Sequence, residues 1–317
     1  MAKRAKAPAK RGRAETTPVK PKPFESWTLL DFIRYAVSRF VEAELIFAHG
    51  TTDALAEAAF LVAEALHLHP DQIEMFATVR TTATETKKIL GLIESRVATR
   101  KPAAYLVNKA YMRGLPFYVD ERVIVPRSFI GELLDSHFSD EISLIDDPAS
   151  VKSVLDLCTG SGCLAILASH RFPWAHIDAV DISADALEVA ARNVIDDYVL
   201  EHRISLHQGD LFEPLGDRKY DLIVTNPPYV DAEGMAALPS ECRFEPKLAF
   251  DGGADGLDIV RRILNEAGRH LTPQGGLLCE IGRGRELLEA AFPQLPLLWL
   301  DTEDSEGEVF WIGAKDL

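Results

Sequence analysis

The sequence predicts an α/β protein: a small helical unit, then a mostly parallel seven-stranded sheet whose last strand runs antiparallel. Three observations predict it. Apolar residues recur at helical spacing from Trp27 to about Thr99. From Val151 onward, strand-like and helical runs alternate, the pattern of a parallel sheet with helices on both faces. Between the last two strand-like runs, Asp301–Gly307 is too short for a helical crossover, so those strands must be antiparallel.

In the first unit, Leu29, Ile33, Ala36 and Phe40 form one stripe, opened by Thr28 with Asp31 as a capping box. Leu55, Ala59, Val62 and Leu66 form a second, opened by Asp53, and Ile89, Ile93 and Val97 part of a third. These stripes read as core. His49, His67 and His69 stand at or near helix ends and read as surface residues; Glu64 and His67 could share a face, but two ligands do not make a metal site.

Lys101-Pro102 breaks the helix. Tyr111, Phe117–Val119 and Val123–Val125 are β-prone, with Gly114, Pro116 and Asp120-Glu121 as turn material, giving a hairpin-like linker. After Ser128 an amphipathic stretch through Leu134 suggests another helix, and Asp146-Asp147-Pro148 marks a loop. The expected organisation is a basic tail at 1–24, a helical unit at 25–100, a linker at 101–127 and the sheet unit at 128–317.

In the sheet unit the strand-like runs are 154–158, 175–180, 204–207, 222–225, 276–281, 295–300 and 308–312. The helical runs are 163–171, 184–195, 257–270 and 286–292.

At 317 residues the chain is long enough for two domains, and 47% apolar with 26% charged residues is ordinary for a soluble globular protein. No run of 18 apolar residues offers a membrane span, and the tail lacks the apolar stretch of a secretory signal. Four scattered cysteines suit reduced thiols in a cytoplasmic protein. Residues 1–22 carry eight Lys/Arg and one acid, Glu15, hence +7; with −15 overall, the remainder holds −22. So acidic a body argues against a broad nucleic-acid face, while the basic tail could hold RNA weakly or serve as a solubilising arm.

Four motifs carry chemistry. Strand 154–158 runs into Thr159-Gly160-Ser161-Gly162 and a helix, a turn whose glycines let the backbone approach a ligand. Taken alone it also fits a nicotinamide or flavin fingerprint. Asp156 tilts the balance, because a carboxylate there repels a pyrophosphate but suits a cationic ligand such as S-adenosylmethionine. Asp181, at the end of the second strand, suits two ribose hydroxyls or a helix cap. Asp210 could accept from an adenine amine, with Leu211 and Phe212 along the ring. Asn226-Pro227-Pro228-Tyr229 follows the fourth strand. Its prolines fix the loop. The Asn226 side-chain oxygen and the Pro227 carbonyl can then accept both hydrogens of one –NH2 group, and Tyr229 offers a flat face. That set suits methylation of a conjugated nitrogen by orientation, with no separate general base.

With these motifs in view, the chain resembles the glutamine N5-methyltransferases, S-adenosylmethionine-dependent enzymes that modify a glutamine side-chain amide. The resemblance spans roughly residues 27–315. It includes Ala103–Leu106, Gly114–Phe117, Val123–Ser128, Asp156–Cys163, Asn226–Tyr229, Glu245-Pro246, Asp251–Leu257 and Glu280-Ile281-Gly282. It implies the Rossmann-like class I methyltransferase fold. It also implies that Asp156, Thr159, Gly160, Gly162, Asp181, Asp210, Leu211 and Asn226 line the cofactor, while Asn226, Pro227, Pro228 and Tyr229 hold the amide. Of the two bacterial branches, Cys158–Cys163, Pro126-Arg127-Ser128, Asn108–Ala110 and Asp120–Arg122 resemble the one acting on the third protein of the large ribosomal subunit, free or in an assembly intermediate, rather than on release factors. Amino-methylation of a nucleic-acid base and a non-catalytic assembly role are the competing readings.

Overall fold

The computed structural model describes residues 27–139 and 142–317. The basic tail lies outside them.

The described residues open with four α-helices, α1 (Leu29–Glu42), α2 (Ala54–Ala65), α3 (Ile73–Phe76) and α4 (Ala83–Thr99). The Thr28–Asp31 capping box forms as expected: Asp31 N donates to Thr28 Oγ1 and Thr28 N to Asp31 Oδ2 at 3.0 Å. On α1, Leu29, Phe32, Ile33, Ala36 and Phe40 are buried. They meet Ala58, Leu61, Val62 and Ala65 of α2 and Ile89 and Ile93 of α4 in one apolar cluster. The α2 stripe is therefore rotated from the expected one. Leu55 is 61% exposed, because α1 and α4 pack on the face carrying Ala58, Leu61, Val62 and Ala65, while Asp53 caps the helix through Leu55 N and Ala56 N. Arg96 is completely buried, donating to Glu57 at 2.7 Å and to the Ile46 and Arg100 carbonyls.

Arg100, in left-handed conformation, ends α4. A short helix, α5 (Ala103–Val107), follows before the hairpin β1 (Ala110–Met112) and β2 (Leu115–Phe117). The sequence did not suggest α5: Pro102 stops one helix and its fixed φ starts the next. Val123–Val125 forms no strand but an extended strap leading to α6 (Ile130–Ser136).

The remaining elements are β3 (Ser153–Leu157), α7 (Cys163–Arg171), β4 (His176–Asp181), α8 (Ala184–Ala191), β5 (Ile204–Gln208), β6 (Tyr220–Thr225), α9 (Ala232–Ala237), α10 (Asp258–Ala267), β7 (Leu271–Glu280), α11 (Arg285–Ala291), β8 (Leu298–Leu300) and β9 (Val309–Gly313). All seven strands read from the sequence are present. The sheet order is β5-β4-β3-β6-β7-β9-β8, parallel except that β9 runs antiparallel to both neighbours. Cores of apolar side chains lie on both faces of the sheet. Where the sequence suggested a helix to Ile195, α8 gives way at Arg192 to a π-helical turn. Its buried Asn193 binds both the N–H and the carbonyl of Tyr118, and the Ser161 carbonyl, joining the linker to the glycine turn.

Register positions the site. Leu157 of β3 pairs with Val180 of β4 and Thr225 of β6, and Asp181 pairs with Gln208 of β5. The segments after these four strands therefore emerge together at one edge. Because β4 and β6 lie on opposite sides of β3, a crevice opens there, where ligands bind in open α/β sheets.

Candidate active site

A cavity of about 280 Å³ occupies this crevice. Eight of the residues expected to bind ligands line it: Gly160, Asp181, Asp210, Leu211, Asn226, Pro227, Pro228 and Tyr229. Gly160 takes a φ of +55°, and a Cβ there would meet nothing within 4 Å, so the bare backbone faces open space. Two larger residues on the wall, Cys158 and Leu211, also take positive φ. Such backbone strain concentrates at ligand sites.

Three expected cofactor residues do not reach the cavity wall. Asp156 is fully buried, and its Oδ2 accepts from Thr159 Oγ1 at 2.5 Å and Ala165 N at 3.0 Å. It braces the turn from behind because its strand position points into the packed layer under α7. Burial pushes its carboxyl up to about 7, and its Oδ1 has no hydrogen-bond partner among the described residues. Thr159 is spent on this brace. Gly162 caps α7 at φ +79°, where a Cβ would lie 3.3 Å from that of Ala190.

Asp181 does reach the wall, while also shaping it. Its Oδ2 accepts from Gly160 N at 2.8 Å and its Oδ1 from Ser183 N at 2.9 Å. Burial raises its carboxyl against these backbone bonds. Each oxygen keeps a further acceptor position for a ligand hydroxyl. Ser183 supplies the cap of α8 through Ala186 N, which leaves Asp181 free of that duty. Asp210 pairs with Arg262 across the mouth at 2.9 Å.

Among the described residues the Asn226 side chain has no hydrogen-bond partner, so its amide is available to a ligand at the cavity wall, and Pro227 beside it is buried. The Tyr229 ring is half-buried, with its hydroxyl donating to Glu280 Oε1 at 3.1 Å.

Sequence reasoning missed the opposite wall, contributed by Val123, Ile124, Arg127, Pro246, Leu248 and Phe250. Arg127 is held by Glu245, with Nη1 to Oε1 at 2.7 Å and Nη2 to Oε2 at 3.1 Å, and lies over the Phe250 ring. Burial acts to raise the Glu245 carboxyl, but bonding with His49 and the Arg127 charge hold it below the ordinary glutamate value. His49, expected at the surface, is buried, with Nε2 3.2 Å from Glu245. The expectation failed because the loop after α1 packs against the 241–245 segment instead of facing solvent. Glu64 likewise pairs with Lys109 and Tyr111 rather than with His67.

The strand order, the glycine turn after β3 and the Asn-Pro-Pro-Tyr loop after β6 define a Rossmann-like class I methyltransferase. Residues 133–238 match the family model of the methyltransferase small domain. A ribosomal protein uL3 glutamine methyltransferase of Bradyrhizobium diazoefficiens is 71% identical over 320 residues, covering 100% of both chains. One of Burkholderia pseudomallei is 52% identical over 94% of this chain and 97% of its own. The chain belongs to the ribosomal protein uL3 glutamine methyltransferase family. Among solved structures, a methyltransferase from Pyrococcus furiosus aligns at 16% identity with a TM-score of 0.48, over 70% of this chain and 97% of that one.

Proposed function

We propose that the chain methylates the side-chain amide nitrogen of a glutamine in ribosomal protein uL3, using S-adenosylmethionine. The free Asn226 amide at the β6 end of the cavity carries this reading. The Asn226 oxygen and the Pro227 carbonyl accept the two amide hydrogens and fix the plane of the substrate –NH2. Tyr229 covers one face of that plane. An amide nitrogen is a poor nucleophile because its lone pair is delocalised, and two acceptors return electron density to it. The residues at the β3, β4 and β5 ends fit the cofactor: bare Gly160 backbone, Asp181 for ribose hydroxyls, and Asp210 with Leu211 for the base. S-adenosylmethionine supplies an electrophilic methyl group there. Asp156, Thr159 and Gly162 support this wall from behind. No side chain is assigned as a general base, since the proton leaves to solvent after the nitrogen has become cationic.

Residues 25–100 are assigned to recognition of the protein substrate, 101–127 to the linker and 128–317 to catalysis. The basic tail is assigned a weak RNA contact, which suits a substrate met in an assembly intermediate. The place of work is the cytoplasm, where ribosomes are assembled; no helix of the described residues is long and apolar enough to cross a membrane.

The test is methyl transfer from labelled S-adenosylmethionine into under-methylated large-subunit particles and free uL3, with release factors in parallel. Label on a uL3 glutamine supports the reading. Label on release factor alone moves the substrate to the other branch, and label in RNA overturns glutamine chemistry.

A further inference from the structure

Two signatures, Glu280-Ile281-Gly282 and Asp251–Leu257, take no part in the chemistry above, and both converge on Tyr229. Glu280 ends β7 and is 1% exposed. Its two oxygens serve different segments: Oε1 accepts from the Tyr229 hydroxyl at 3.1 Å, while Oε2 accepts from Ser128 Oγ at 2.7 Å and Phe129 N at 2.9 Å. One carboxylate thus links the loop after β6 to the end of the strap that carries Arg127. Gly282, at φ +55°, lies against the ring; a Cβ there would stand 2.7 Å from Tyr229 Cε2. The Tyr229 backbone is gripped in the same way. A Cβ on Gly256 would lie 2.4 Å from the Tyr229 carbonyl oxygen, and one on Gly252 2.8 Å from its Cα. Val230 N donates to Phe250 O and Gly252 N to Val230 O, closing that grip.

Resting on the reading that Tyr229 covers the substrate amide, we propose that Glu280 is a positioning residue that fixes the Tyr229 ring and the 123–129 strap as one unit. A tyrosine with a free hydroxyl and an open edge would sample several χ1 and χ2 states, each losing the flat face. Here the hydroxyl is anchored, the ring edge is blocked by the chain at Gly282, and the main chain is clamped by two glycines. An acid serves this purpose better than an amide of the same shape. Once ionised, the carboxylate accepts from all three donors, whereas glutamine brings an –NH2 that must face one of them at any pH. Repulsion from Glu308 adds to burial in raising the Glu280 carboxyl.

The experiment compares full-length wild type with Glu280→Gln, Tyr229→Phe and the double variant in the uL3 methylation assay. Cofactor binding is followed by calorimetry and Tyr229 ring flipping by NMR of labelled tyrosine. Each single variant is expected to lower kcat about 10-fold, the scale of one hydrogen bond, with cofactor Kd within about 2-fold. In the double variant the two losses should not multiply, because Glu280 acts through the Tyr229 hydroxyl. The Tyr229 ring should flip slowly in wild type and fast in Glu280→Gln. Multiplying losses, or an unchanged flip rate, would overturn the proposal. The flip rate is read without turnover, so it decides the positioning role even if no glutamine is labelled, an outcome that would sink the functional reading alone.

Discussion

Arg127 and Glu245 are joined at both ends, by two nitrogens to two oxygens at 2.7 and 3.1 Å, although 118 residues separate them in the chain. Glu245 also accepts from Val125 N at 2.9 Å and meets His49 at 3.2 Å. The carboxylate therefore fastens the strap, the segment after α9 and the loop after α1 at a single point. Glu245→Ala leaves Arg127 without its ion-pair partner, and Val125 N and His49 without the carboxylate they face. The expected loss of stability is about 2–4 kcal/mol, below the fully buried extreme because the Arg127 side chain keeps some exposure to solvent. Urea denaturation measures it. A loss under about 0.5 kcal/mol would show that the junction is held elsewhere.

Asn226→Ala is expected to reduce kcat for glutamine methylation by about 100-fold or more, the usual cost of losing one preorganised polar contact in a transition state. Cofactor affinity should stay within a few-fold, because the Asp181 and Gly160 end of the cavity is untouched. Turnover and calorimetry on the same preparation separate the two effects. Unchanged turnover would remove Asn226 from the machinery.

Asp181→Ala should do the reverse, striking the cofactor first. It deletes the acceptor assigned to the ribose and also releases Gly160 N and Ser183 N, which it now binds at 2.8 and 2.9 Å. A loss of about 10- to 100-fold in S-adenosylmethionine affinity is expected, or about 1.4–2.7 kcal/mol. Saturating cofactor should recover much of the rate. If affinity holds, the ribose assignment is wrong and Asp181 only shapes the turn.

These sites were legible in the sequence to different degrees, for a physical reason. Asp181 ends β4, and Gly160, Leu211 and Asn226 lie within three residues of the ends of β3, β5 and β6, so the strand pattern alone brings them to one edge. Arg127 and Phe250 reach the same cavity only through tertiary packing between segments distant in sequence, and no local periodicity encodes that. Asp156 was placed on the right strand, but its burial depends on how α7 packs over it, which a motif does not contain. His49 was misplaced for the same reason, since a loop residue after a helix is normally exposed. The rotated face of α2 shows the limit from the other side: the stripe was periodic in both registers, and only the partners α1 and α4 selected one.

Two buried carboxyls predict how stability varies with pH. Glu280 is raised by burial to about 7, against an ordinary value of 4.5, and Asp156 to about 7, against 3.8. The folded chain therefore binds these protons more tightly than the unfolded chain does. Their contribution is fully present below the unfolded values and is lost as pH rises through the folded ones, the reverse of a salt-bridged acid. Glu245 has the opposite sign, but its window lies below pH 4.5. In Glu280→Gln one of these falling contributions is gone. Between pH 5 and pH 8 wild type should lose on the order of 3 kcal/mol more stability than Glu280→Gln, at about 1.4 kcal/mol for each unit of pKa difference. Denaturation of both proteins across that range measures it. Parallel curves would mean that the Glu280 carboxyl is already ionised at pH 5, with its three donors outweighing the cost of burial.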